Sequence, residues 1–580
     1  MYWIDKPIVW HMSRVPAGYD FDAMTEYERG ILFTKWRSWW SADLDYAQTT
    51  VIFFCTAILA SALLNVLGWV RAHDLSVGGP RVTLWNKTTA LLRYTTSRQF
   101  YFRPTNWYTP PLAAVIGVSA LAIFTLALTL AVRPYYWPNH AMGMSPPIAT
   151  RSGWISLAIM PFMIAFSTKI NFVTILTGTS HEKLQVFHRW AAFFMYITSL
   201  VHTFPFIVNM IKMGMMEAMW KETSLYWTGV AALVPQTWLI AMSWGPIRSR
   251  YYEFFKKMHF IAAGFFMAAL FCHVDWIFTS WHYFYATAAI YTLAWLIRVI
   301  RTLYRTGLGL RATIEDAGPD LIRISITAGR FKWYPGQHVF IRILGLNVHT
   351  FTSHPFTIAS VAAADKADSN VELVLRSRGG LTRALQRRVA GKAGWSTRVV
   401  LDGPYGGLHS PRTLEKYERV VFLGGGTGAT FTLPIFADLI DKLKSAPAVK
   451  QIDFVVAVPD VDNFAWMQSQ VASLANGGTA ETTVNVRVHY TRTESDKDVK
   501  DSESEVVEAS AGLVSLYGRP ITGEIVREAH ANASSVAVIA CGPDSFLYDT
   551  RNAVADCELD IADGFGVCKD LFLHTENYSW

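Results

Sequence analysis

The 580-residue chain is short of charge. Only 17% of it is Asp, Glu, Lys or Arg, against about 25% in soluble globular proteins. That argues against a wholly water-soluble molecule. Cysteine is scarce too. Cys55, Cys272, Cys541, Cys557 and Cys568 show no CxxC or other metal-ligand spacing, which excludes a disulfide framework and a zinc ribbon. The C-terminal half then reads as facing a reducing compartment. No internal repeat is visible. Residues 1–40 lack an apolar core, so no cleavable leader is expected there. The net charge of +7 sits in loops beside apolar segments, where it sets topology rather than binding nucleic acid.

What is present is apolar sequence, 51% of the chain. Nearly all long uncharged runs precede residue 300. Spans of about 20 residues are expected at 49–70, 112–132, 153–168, 188–211, 226–244, 258–278 and 282–300. The third is short and is expected to run on past Lys169, and the last two share a tight turn. The loop after the first span carries Arg71, Arg81, Lys87, Arg93, Arg98 and Arg103; Arg248, Arg250, Lys256 and Lys257 precede the sixth; Arg301 and Arg305 follow the seventh. The positive-inside rule then places the N-terminus outside and the C-terminal half in the cytosol.

Four histidines interrupt the apolar runs. His188 and His202 lie on one span, His259 and His273 on another, and both pairs are 14 residues apart (202 − 188 and 273 − 259). Fourteen residues fall about 40° short of four helical turns, so each pair shares a face, roughly 21 Å apart along the axis. Both spans run from inside to outside, so His188 pairs with His259 at the cytosolic level and His202 with His273 at the outer level. Ionisable residues inside a bilayer are expensive and mark function. Two imidazoles fill the axial positions of a haem iron, which suits electron transfer. A lone membrane histidine more often bonds a neighbouring helix; two pairs of equal spacing read as two haem sites.

After residue 305 the style changes. Short alternating strands at Leu321–Thr327, His338–Ile343, Val371–Leu375 and Val399–Leu401 predict a small antiparallel barrel. Buried strands at Val420–Leu423, Phe454–Val458, Val484–Tyr490 and Val536–Ala540 alternate with helices, predicting a doubly wound α/β domain. The polar Glu494–Glu508 stretch reads as a solvated loop. Expected boundaries are 1–48 for an extracytosolic N-terminal region, 49–305 for the bis-haem membrane domain, 306–415 for the barrel and 416–580 for the α/β domain.

His354-Pro355-Phe356-Thr357, Arg376-Ser377-Arg378-Gly379-Gly380-Leu381-Thr382 and Gly403-Pro404-Tyr405-Gly406 follow one another on the barrel. Glycines beside arginines let backbone N–H groups and guanidinium reach a diphosphate. Gly424-Gly425-Gly426-Thr427-Gly428 follows a strand and opens a helix, the setting for a pyrophosphate at a helix N-terminus. Cys541-Gly542-Pro543 follows the last clear strand, at the edge where such folds bind ligands.

With the paired histidines, His-Pro-Phe-Thr, the glycine loop, Cys-Gly-Pro and an aromatic C-terminus, residues 150–580 resemble the fungal ferric reductase transmembrane components of the ferric reductase–NADPH oxidase superfamily. The resemblance implies haem b ligation by His188, His202, His259 and His273. It implies His354, Pro355, Phe356 and Thr357 at the flavin of FAD, and Arg376, Gly379, Gly380, Leu381 and Thr382 around its pyrophosphate. Gly424, Gly425, Gly426, Thr427 and Gly428 would bind the NADPH diphosphate, with Cys541, Gly542 and Pro543 near the nicotinamide. Trp580 resembles the terminal aromatic that covers the flavin, and Glu576 the acidic position of that tail. The resemblance further implies Fe(III) chelates or siderophores as acceptors, Cu(II) as another, a plasma-membrane address and an iron permease or ferroxidase as partner. Relatives usually carry an Arg after the second strand of the nucleotide domain. Here Val458-Pro459-Asp460 stands there, so Arg492 is the substitute for gripping a 2′-phosphate, while an Asp at 460 would favour a free 2′-hydroxyl.

Two alternatives stand beside this reading. A superoxide-generating NADPH oxidase would share every internal cofactor, but its second histidine pair is typically one residue closer. A non-enzymatic haem-binding transporter or receptor would not need the flavin and nucleotide motifs. His140, Met142 and Met144 in an outer loop offer an imidazole and two thioethers, a set that suits copper, although plain surface loop is the commoner meaning.

Overall fold

The computed structural model describes residues 20–34, 43–74, 83–275, 277, 279–318, 320–361, 370–392, 394–408, 414–492, 506–510 and 512–577. The chain forms two compact units, Met1–Leu67 with Ile116–Arg298, and Gly68–Val115 with Val299–Trp580.

Seven described helices are long and apolar enough to cross a membrane. They are α1 (Gln48–Asp74), α3 (Leu112–Leu130), α4 (Pro147–Ser167), α5 (His181–Lys212), α6 (Ser224–Met242), α7 (Tyr252–Val274) and α8 (Ser280–Thr306); α2 (Leu84–Ser97) is shorter and is followed by a two-residue antiparallel pair, β1 (Tyr101–Phe102) with β2 (Trp107–Tyr108). The third span departs from expectation. It starts six residues earlier (153 − 147), at a proline in its first turn, and stops at Ser167 instead of passing Lys169. Asn171 accepts the N–H of Thr174 and starts a separate short helix, Phe172–Thr177. The earlier start is tolerated because Arg151 is fully buried yet bonded. Its Nε and Nη2 donate to Thr129 O (2.7 Å) and Val132 O (2.6 Å), carbonyls at the end of α3 that lack helical partners. Aromatic stacking packs the bundle further along, with Phe54 on Phe162 at 4.6 Å and Phe53 on Phe124 at 4.2 Å.

In the second unit, strands β3 (Leu310–Gly318), β4 (Leu321–Thr327), β5 (Gln337–Ile343), β6 (His354–Thr357), β7 (Asn370–Arg376) and β8 (Trp395–Gly406) form an antiparallel sheet in the order β6-β5-β8-β3-β4-β7. The N–H of Ala359, just past β6, bonds Glu372 O on β7, so the sheet's two edges curl together. Its inward residues, among them Ile314, Ile324, Ile341 and Leu373, are sealed from solvent.

A second sheet runs β12 (Val506–Ser510), β13 (Leu513–Tyr517), β11 (Thr483–Tyr490), β10 (Gln451–Val458), β9 (Arg419–Gly425), β14 (Ser535–Cys541), β15 (Asp570–Glu576). All pairings are parallel except β12 with β13. Its central strands are buried on both faces and read as continuous apolar runs, as parallel strands do. Part of the expected acidic loop is therefore strand: Val506–Ser510 pairs with β13 at the sheet's edge, while residues 494–505 lie outside the described residues.

The loop after the first span is also ordered against this domain. Ala90 of α2 joins the core formed by Val554, Cys557 and Leu571. Arg93 donates to Asp570 (2.5 Å) and Leu571 O (2.7 Å) and lies 3.6 Å from Glu558, whose side chain is 1% exposed. Burial opposes the guanidinium's charge, but Asp570 and Glu558 outweigh it and hold the group above its ordinary pKa. Arg98 pairs with Asp556 at 2.8 Å.

Candidate functional site

The bundle brings the four histidines together in two pairs. The ring centroids of His188 and His259 lie 6.5 Å apart, and those of His202 and His273 lie 5.9 Å apart. Two imidazoles on one metal, at nitrogen–metal bonds of about 2.0–2.1 Å, place their ring centres about 6–6.5 Å apart. Both separations fit one iron between each pair.

The opposite ring nitrogens are held as well. Nδ1 of His188 bonds Met163 O (2.9 Å) and Nδ1 of His202 bonds Ala149 O (2.8 Å). The two carbonyls are 14 residues apart (163 − 149), so α4 repeats the histidine spacing in antiparallel sense. Nδ1 of His273 bonds Leu225 O at 2.9 Å. A carbonyl accepts only from N–H, so these three rings carry their proton on Nδ1 and turn an unprotonated Nε2 inward, the form that ligates metal. His259 Nδ1 is buried without a hydrogen-bond partner among the described residues.

Two glycines make the close approach feasible. A Cβ at Gly153 would lie 2.5 Å from His202 Nδ1, and one at Gly229 would lie 2.9 Å from His273 Cε1. Each glycine stands four residues after the accepting carbonyl (149 to 153, 225 to 229), one helical turn on. The second pair opens on a cavity of about 430 Å³ lined also by Met195, Phe206, Tyr226 and Phe266. Sequence reading missed both glycines and Arg151. A glycine exactly one turn beyond a His-facing carbonyl is the available signal, but it needs the helix pairing first.

The proposed copper trio does not assemble. Asn139 caps a single turn, His140–Met142. That turn leaves His140 exposed and drives Met142 fully into the bundle core.

In the second unit, His354-Pro355-Phe356-Thr357 forms β6, half-buried, with His354 Nε2 3.2 Å from Thr352 Oγ1. Arg376 ends β7. Gly379 precedes the helix Gly380–Val389, Leu381 is buried beneath it, and the Thr382 hydroxyl accepts the N–H groups of Arg378 (3.0 Å) and Gly379 (3.3 Å). This fixes a turn at a helix start.

Gly424 and Gly425 end β9, and Gly426, Thr427 and Gly428 lead into the helix Ala429–Lys442. Cys541-Gly542-Pro543 packs directly on this loop. A Cβ at Gly428 would lie 2.2 Å from Cys541 O, and one at Gly425 would lie 2.8 Å from Pro543 Cδ. Strand register puts Cys541 beside Gly424 on one side and Glu576 on the other. Burial, then the Glu576 charge, pushes the Cys541 thiol well above its ordinary pKa, so it is a protonated packing group. Trp580 lies outside the described residues.

Arg492 and Asp460 stand together, 3.5 Å apart. Asp460 accepts from Asn463 N (3.0 Å) and Nδ2 (2.6 Å) as the cap of helix Val461–Ala475. Its carboxylate is thus engaged, while the Arg492 side chain is 64% exposed.

The family described as ferric reductase like transmembrane component matches residues 152–270, the FAD-binding domain residues 310–409 and the ferric reductase NAD binding domain residues 417–555. A probable cell surface ferric reductase of Aspergillus oryzae is 34% identical over 380 residues, 62% of this chain and 50% of the relative. Ferric/cupric reductase transmembrane component 2 of Saccharomyces cerevisiae is 27% identical over 506 residues, 79% of this chain and 66% of the relative. Ferric reductase transmembrane component 4 of that yeast is 26% identical, over 76% of this chain and 65% of the relative. The chain spans between half and two thirds of the length of these curated relatives.

Proposed function

We propose that this chain, which matches the ferric reductase like transmembrane component, an FAD-binding domain and the ferric reductase NAD binding domain, passes electrons across a bilayer to Fe(III), from cytosolic NADPH by way of FAD and two b-type haems. Cu(II) is a second acceptor, and iron uptake at the plasma membrane is the role served. The observation that carries the reading is the double histidine pair: two iron-sized gaps, one above the other, each flanked by inward-facing imidazoles.

Flavin, nicotinamide and haem supply hydride and single-electron chemistry when bound. The chain's own residues bind and orient. His188 with His259 would hold the cytosolic-side iron, and His202 with His273 the outer one. His354, Pro355, Phe356 and Thr357 would line the flavin, with Arg376 and the Gly379–Thr382 turn at its diphosphate. Gly424 through Gly428 admit a dinucleotide pyrophosphate to the helix start at Ala429, where unpaired N–H groups favour anions. Gly542 and Pro543, with Cys541 and Glu576, would shape the nicotinamide end, and Trp580 would be the aromatic that covers the flavin. Because Asp460 is spent on its helix cap, Arg492 is the group facing solvent there, and it favours a 2′-phosphate over a bare hydroxyl. The domain extents follow: 1–48 outside, 49–305 in the membrane, 306–415 for FAD and 416–580 for NADPH. A ferric chelate or siderophore would receive its electron without entering the iron's coordination shell, since two imidazoles leave no open position.

The test uses purified protein in lipid vesicles with NADPH, measuring Fe(II) and superoxide together. Formation of two Fe(II) per NADPH oxidised supports the reading. Oxygen consumption that accounts for all the NADPH overturns it in favour of an oxidase.

A further inference from the structure

Three metal-ligating side chains meet in the α/β domain, far from the glycine loop. His530 lies in the last turn of helix Thr522–Asn532, and Cys557 and Asp560 lie toward the end of helix Asp544–Asp563. Both helices run from the carboxyl edge of the sheet toward its amino edge, where β14 starts at Ser535 and β15 at Asp570. The cluster therefore sits at the opposite edge from Cys541. The ligand atoms of the three side chains all lie within 4.8 Å of one another.

We propose that His530, Cys557 and Asp560 form a divalent-cation site, with Zn(II) the ion whose chemistry fits. His530 is 7% exposed, and its Nε2 is buried without a hydrogen-bond partner among the described residues. An unsatisfied buried nitrogen is unfavourable, and a cation would satisfy it. Cys557 is a free, buried thiol, and Asp560 is exposed and gives the ion a way in. Cys557 and Asp560 are three residues apart on one helix, so they share a face one turn apart.

The donor set is one sulfur, one nitrogen and one oxygen. Thiolate and imidazole together select zinc over magnesium or calcium. Bonds of about 2.0–2.3 Å in a tetrahedron hold neighbouring donors about 3.5 Å apart, so side-chain rotations of about 1 Å close the site, with water at the fourth position. Binding breaks the Cys557 S–H bond, forms S–Zn and releases the proton to solvent; nothing is oxidised or reduced. Thiolate and carboxylate then balance the ion's two charges. Spacing along the chain hides this site, because one ligand comes from another helix. Bound metal would pin the two helices to each other at the sheet's amino edge.

The full-length holoprotein, stripped with chelator and then incubated with ZnCl2, tests the site by elemental analysis after gel filtration. Haem iron does not interfere with the zinc count. The wild type should retain one zinc that Cys557→Ser and Asp560→Asn lose, with affinity lowered at least about tenfold. Zinc should raise the wild-type Tm and leave that of Asp560→Asn unmoved. Cys568→Ser, at another buried cysteine, should keep the metal. Asp560→Asn alters an exposed side chain and tests the site even if the buried-site variant fails to fold. No retained zinc in the wild type, or equal retention by Asp560→Asn, overturns the proposal.

Discussion

At one level of the helix bundle both imidazoles are held from behind. His202 bonds Ala149 O, His273 bonds Leu225 O, and each ring presses on a glycine one turn beyond that carbonyl. At the other level only His188 is held, by Met163 O, and among the described residues the buried Nδ1 of His259 has no hydrogen-bond partner. The same ligand chemistry is thus built with different rigidity. Outer-shell hydrogen bonds fix a histidine's tautomer and orientation and raise its basicity. The pair at His202 is preorganised; the pair at His188 depends on one ring whose position nothing polar enforces.

The largest effect tests whether the two levels are separate sites. His202→Ala or His273→Ala should remove one haem and leave the other. That would show as a fall of about half in haem per protein, because each iron needs both axial imidazoles. The glycines come next. Gly153→Ala and Gly229→Ala push a methyl into the ring beside them, an overpacking penalty of about 1–3 kcal/mol. Haem loss on dilution should follow for the His202 pair alone. Equal loss from both pairs would break the comparison.

The missing bond at His259 predicts a smaller difference. One hydrogen bond is worth about 0.5–1.5 kcal/mol, up to roughly tenfold in ligand release. When the reduced protein is exposed to carbon monoxide, the haem that His259→Ala removes should react first. Arg93→Ala serves as a control outside the bundle. Removing the cation held beside Glu558 and Asp570 costs about 3–5 kcal/mol and should lower the Tm of the α/β domain while the haem spectrum stays unchanged.

The histidine spacing, the number of spans and the strands β9, β10, β11 and β14 are legible in the sequence because each is a local pattern: a period, an apolar run or a glycine loop after a strand. The missed features depend on distant partners. Arg151 breaks an apolar window, so the third span reads short. Only the end of α3, some twenty residues upstream, shows that its charge is satisfied. Gly153 looks like any small residue in a span until His202 is known to face it. β15 is an edge strand with acidic ends, and α2 follows a basic loop. Their contacts with each other, through Arg93 and Asp570, lie more than 470 positions apart. Met142 fails for the opposite reason: a polar loop composition gives no warning that one turn points inward.

The central claim is that four histidines make two sites by pairing across the helices. The haem content of His188→Ala, His259→Ala and the double variant tests it most directly. All three proteins should keep the same single haem, with superimposable reduced-minus-oxidised spectra. A double variant that loses both haems, while each single variant loses one, would contradict the account.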